Sequence, residues 1–190
     1  FQVAILRAAS MVVSIHVNPE MIVVQQGTSR QRESPGEDQP SEQPLRNIHI
    51  KKFAIGQFEV TFEEYDRFAI ATDRSLPRDE GWGRGSRPVI NVSWEDARNY
   101  TTWLSQETGI RYRLPSETEW EYAARNGGNN QLWAGTSDEK QLADYAWFNT
   151  NSTGRTQPVG AKKANGLGIQ DMSGNVWEWV SSAYKRYPHD

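Results

Sequence analysis

Between residues 126 and 176 the chain has no helix-length hydrophobic period but many Asn, Gly, Thr and Ser, with isolated aromatics at Trp133, Tyr145, Trp147 and Phe148. Long ordered stretches of this kind are uncommon, and they tend to be functional or tied down by something other than a hydrophobic core, such as a metal ion. The fold must therefore be loop-rich, and no internal repeat is present to suggest an array. Apolar residues make up only 36% of the 190 residues while aromatics reach 11%, with eight Trp. A core built from so few aliphatics needs large, rigid side chains, so Trp94, Trp103, Trp120, Trp177 and Trp179 are expected inside it.

Three helices announce themselves by one device. Thr61-x-x-Glu64, Ser93-x-x-Asp96 and Ser116-x-x-Glu119 are capping-box patterns, in which the hydroxyl accepts from a first-turn amide and the acid answers the cap residue's own amide. The first helix is predicted to run to about Ala71 with Phe62, Tyr65 and Phe68 on one face. The second buries Ala97, Tyr100 or Thr101, and Leu104 and stops at Gly109; the third turns Trp120, Ala123 and Ala124 inward and ends before Asn126-Gly127-Gly128. Strands are predicted at Met11–Val17 and Met21–Val24 around a turn at Asn18-Pro19. Residues 30–46 are a solvated loop. One or two strands with one buried face follow in Asn47–Glu59, and a last strand is predicted over Asn175–Val180, with Val176 and Glu178 opposite Trp177 and Trp179. The class is α+β, irregular, with short helices and small antiparallel sheets.

The net charge of -3, from 21 basic and 24 acidic residues, leaves no basic face for a nucleic-acid partner. No window of about 20 apolar residues exists to span a bilayer. There is no cysteine, which excludes disulfides, thiolate metal sites and thiol nucleophiles within this chain. The first residue is Phe, so the chain is read as starting after processing or trimming.

Asp171-x-x-Gly174-x-Val176-x-Glu178 carries two hard carboxylates across a turn whose carbonyls can point inward, the donor set that Ca²⁺ takes from a loop. Standing alone, such a string is also an ordinary turn. Glu117, Glu119 and Glu121 look like paired acid-base groups, but a helix cap and the helix dipole explain them. Trp82, flanked by Gly81 and Gly83, is either an exposed recognition residue or an anchor for its loop.

Four strings occur in series: Phe53-Ala-Ile-Gly-Gln-Phe-Glu-Val-Thr-Phe-Glu-Glu-Tyr65, Arg87-Pro-Val-Ile-Asn-Val-Ser-Trp-Glu-Asp-Ala97, Tyr112-Arg-Leu-Pro-Ser-Glu-Thr-Glu-Trp-Glu-Tyr-Ala-Ala-Arg125 and Gly168-Ile-Gln-Asp-Met-Ser-Gly-Asn-Val-Trp-Glu-Trp179. Together they resemble the formylglycine-generating enzyme, or sulfatase-modifying-factor, family over about residues 20–180. The resemblance implies a single domain of variant C-type-lectin-like fold with bound calcium. One ion would be held by Asp171, the carbonyls of Gly174 and Val176, and Glu178. A second would fall on Asp144, the Tyr145 carbonyl, Asn151 and the Thr153 carbonyl, with Asn151 standing where the family more often has Asp.

The family's enzymes use copper(I), bound by two cysteines beyond the Gly-Asn-x-Trp-Glu-Trp motif, and oxygen to convert a sulfatase cysteine to formylglycine. Those positions are not in this sequence, and three dispersed histidines, His16, His49 and His189, do not replace soft thiolates. The domain is accordingly expected to be C-terminally incomplete, with a partner chain or missing segment covering a Val176–Val180 edge. Three readings stay open: part of a copper-dependent oxidase acting on a sulfatase peptide, a non-catalytic peptide- or protein-binding module of the retroelement variable-protein type, and an accessory subunit. Cysteine codons after Asp190 would favour the first.

Overall fold

The computed structural model describes residues 1–5, 19–31, 46–129 and 131–182. The predicted strand at Met11–Val17, the turn at Asn18 and most of the 30–46 loop lie outside these residues. The described elements are β1 (Ala4–Ile5), β2 (Met21–Val24), β3 (Gly27–Gln31), β4 (Arg46–Ile50), β5 (Phe53–Gly56), α1 (Phe62–Ala71), α2 (Trp94–Thr108), β6 (Tyr112–Arg113), α3 (Glu117–Ala124) and, after a 3₁₀ turn at Glu139–Gln141, a one-turn α4 (Leu142–Tyr145). The mixed α+β class with small antiparallel sheets is as expected.

All three capping boxes form, the Ser93–Asp96 variant included. Gly109 closes α2 in the left-handed region at φ 70°, which an L side chain adopts only at a cost. The main sheet has the order β2-β5-β1-β6, every pairing antiparallel, and β3 pairs with β4 in a separate ribbon.

The expectation of one buried face for Asn47–Glu59 is corrected at β5, all four residues of which are buried. Successive strand residues point to opposite faces. Ala54 therefore joins the core under α1 and α2, whereas Phe53 and Ile55 join a second core with Tyr122 and Ala123 of α3, Ile169 and Met172. The first core is aromatic, as the composition required: Phe1, Tyr65, Phe68, Tyr100 and Trp103 meet at ring-centroid separations between 5.2 and 6.0 Å.

Three of the five tryptophans expected in the core are not there. Trp103 and Trp120 pack against the two cores, but Trp94 is 37%, Trp179 44% and Trp177 fully exposed. Asn175–Val180 is also not a strand, so it presents no strand edge of the kind expected. Alternation along this segment does hold, but with the polar residue inward: Glu178 turns in while Trp177 and Trp179 face out. The segment is held instead by individual bonds. The Trp179 indole N–H donates to the Val92 carbonyl (3.0 Å), the Trp94 indole N–H to the Val180 carbonyl (2.8 Å), and the Ser181 amide to the Pro115 carbonyl (2.8 Å).

Candidate cation site and aromatic surface

The loop carrying Asp171 and Glu178 is built by left-handed turns. Asp171, Gly174 and Asn175 all have positive φ, at 60°, 94° and 54°. The Asn175 amide donates to the Trp147 carbonyl (2.9 Å), and its side chain bridges to the backbone of Gln157. Asp171 is 3% exposed. Its Oδ2 accepts from the Gly160 amide (2.7 Å), and its Oδ1 is buried with no partner. Glu178 Oε2 accepts a long bond, 3.2 Å, from the Gln2 amide. The Trp120 indole N–H acts on the same carboxylate but makes no hydrogen bond of ordinary geometry.

Burial pushes the Asp171 carboxyl above the usual carboxylate range, against the Gly160 amide and Lys162. Burial also raises Glu178, with Asp171 adding to the rise and the Trp120 indole and the Gln2 amide opposing it. Two desolvated acids, one raised further by the other and one with an orphaned oxygen, form a site that a bound cation would stabilise. The donors are hard oxygens, which suits calcium and not copper(I). Among the described residues no three acidic or histidine side chains gather closely enough to hold an ion by themselves, so carbonyls would have to complete the shell.

Sequence reasoning missed two neighbours of this site. Glu59 is 1% exposed with neither carboxylate oxygen partnered, and Gln2 is fully buried with neither end of its amide partnered. Burial drives Glu59 well above the usual range, and the charges of Asp171 and Glu178 push it further. The available signal was an acid set between Phe58 and Val60 in an otherwise apolar stretch, a position that nothing exposed demands.

The second set of residues is differently placed. Asp144 is exposed and pairs with Lys163 (2.8 Å), which holds its carboxyl below the usual range. Asn151 accepts from the Phe148 amide (2.7 Å) and donates to the Ala146 carbonyl (2.9 Å), an Asx-type closure of the turn. Tyr145 packs over Gly135, and Thr153 takes a positive φ of 57°. Each side-chain donor expected for an ion here thus already has a protein partner.

Trp82 is half-buried, and its loop is clamped by Arg84, which bonds Asp66 (2.9 Å) and the Pro77 carbonyl (2.7 Å) and lies 4.3 Å over the Phe62 ring. This geometry fits an anchor. Trp177 is the opposite case, a bare indole between the Val176 and Glu178 positions of the candidate site.

Comparison with known proteins accords with this arrangement. Residues 9–189 match the model of the sulfatase-modifying factor enzyme 1-like domain. The formylglycine-generating enzyme of Mycobacterium tuberculosis is 40% identical over 117 residues, 56% of this chain but only 36% of that protein. Among solved structures, PvdO from Pseudomonas aeruginosa aligns with a TM-score of 0.72 at 30% identity, covering 90% of this chain and 73% of its own. Treponema denticola variable protein 1 aligns with a TM-score of 0.68 at 25% identity, covering 89% and 75%. With its four motifs in order, its α+β frame and a family match across nearly the whole chain, the protein belongs to the sulfatase-modifying factor enzyme 1-like domain family.

Proposed function

We propose that this chain is a calcium-stabilised recognition domain that presents the Trp177–Trp179 surface to a peptide or protein partner. The carrying observation is the full exposure of Trp177 on a segment that side-chain-to-backbone bonds hold in place. An indole offers a large apolar area at low entropic cost, which is why it serves as an anchor in interfaces. Calcium would be held by Asp171, the carbonyls of Gly174 and Val176, and Glu178, and it would supply the charge that this loop lacks. Trp177 lies between two of these positions in sequence, so ordering the ion orders the indole.

The similarity to Treponema denticola variable protein 1 supports a binding role, and the chain has no thiolate for copper(I). The similarity to the mycobacterial formylglycine-generating enzyme favours a second reading, a domain of an oxidase. A displayed random-peptide library, selected on the wild-type chain in calcium and counter-selected on Trp177→Ala, tests the recognition reading. Binders that lose their signal on Trp177→Ala, with both proteins equally folded, are expected. Selected peptides that bind both proteins equally would overturn it.

A further inference from the structure

The buried polar atoms around Glu178 exceed what the expected ion set explains. Glu59 and Gln2 come from parts of the chain distant in sequence, Gln2 just ahead of β1 and Glu59 shortly after β5. Both side chains are more than nine-tenths buried, and all four of their terminal polar atoms are without partners. The Gln2 backbone N–H bonds the Glu178 carboxylate, the Val60 amide next to Glu59 bonds the Phe1 carbonyl next to Gln2, and Glu59 lies within charge range of Asp171 and Glu178. Buried polar atoms are almost always satisfied by protein, ordered water or an ion. The side-chain charges acting on Glu59 are those of Asp171 and Glu178, with no Lys, Arg or His among them.

We propose that Glu59 and Gln2 belong to the same cation site, holding the water shell of a calcium ion bound at Asp171 and Glu178. The proposal rests on the calcium reading above and extends it to residues outside the loop. Because the acids do not converge on one point, Glu59 acts through water and charge and Gln2 through its amide, as residues behind direct ligands do. The cation then joins the C-terminal loop to the central sheet, so its binding stabilises both.

The test is calorimetric titration of calcium chloride into the chelator-stripped chain, together with thermal melts in chelator and in calcium. Wild type should bind calcium, Glu178→Gln should lose it, and Glu59→Gln should bind about tenfold to a hundredfold more weakly. In chelator, Glu59→Gln should melt no lower than wild type, because the amide keeps the shape of the side chain and never carries a buried charge. Gln2→Met, which keeps the shape and deletes the orphaned amide, should also weaken calcium without lowering the chelated melting point, and it decides the matter if Glu59→Gln does not fold. Wild type that does not bind calcium would overturn the underlying reading. Binding that is lost in Glu178→Gln but unchanged in Glu59→Gln and Gln2→Met would overturn this proposal alone. An equal loss of stability in chelator and in calcium would mark Glu59 as purely structural and would likewise overturn this proposal alone.

Discussion

Gly174 lies so close to Trp147 that a Cβ built on it would stand 2.1 Å from the Trp147 carbonyl oxygen. Its φ of 94° is closed to L side chains as well. Gly174→Ala should cost about 1–3 kcal/mol from backbone strain alone, before the clash is relieved. Urea denaturation should show this loss, and the variant's melting point should no longer rise with calcium.

The corrected placement of the tryptophans reverses an expectation based on sequence. Trp177→Ala should change stability by no more than about 0.5 kcal/mol, as surface substitutions usually do. Phe68→Ala, which empties a site 1% exposed among Tyr65, Tyr100 and Trp103, should cost about 3–5 kcal/mol. Paired denaturation curves check this. A Trp177→Ala variant as damaged as Phe68→Ala would return that indole to the core.

Acid stability should depend on Glu119. Burial raises its pKa, but two 2.7 Å bonds from Arg113 and the capping interactions at Ser116 outweigh burial and leave it below the usual carboxylate value. A carboxyl depressed in the fold contributes stability that is present above its unfolded pKa and is lost as pH falls through its folded value. Arg113→Ala should therefore lose about 1.5–3 kcal/mol near neutrality and show a shallower fall in stability below about pH 4.5. Melting points measured from pH 3 to 7 would test the sign.

The chain should not convert a sulfatase-motif peptide to its formylglycine form. The reaction as the family runs it needs thiolate-bound copper(I), and no cysteine is present. Mass spectrometry of the peptide after incubation with protein, copper and oxygen should match a copper-only control. Turnover well above that control would contradict the argument.

The sequence made the caps legible because a capping box is a local contract: Ser93 and Asp96 settle their bonds within one turn, whatever the rest of the chain does. Gly109 as the stop of α2 was legible for the same reason. Glu59 was not, because the acids that act on it, Asp171 and Glu178, are far away in sequence. Trp177 and Trp179 misled because large apolar residues normally point inward, and in this segment the inward position belongs to an acid. The side-chain pairing of Asp144 with Lys163 is likewise a long-range choice that no spacing rule could supply.

β1 is only two residues long, yet it lies inside the sheet, pairing Ala4 with Ile55 on one side and with Arg113 on the other. Phe1 packs against Tyr100 beside it. Loss of this strand would do more than remove one pairing. It would open a slot bordered by two unsatisfied strand edges, the geometry that accepts a foreign strand. Proteolysis at this point would turn a self-contained sheet into a receptor for its own cleaved segment, and adding a peptide of that segment back to trimmed protein would restore the fold in trans.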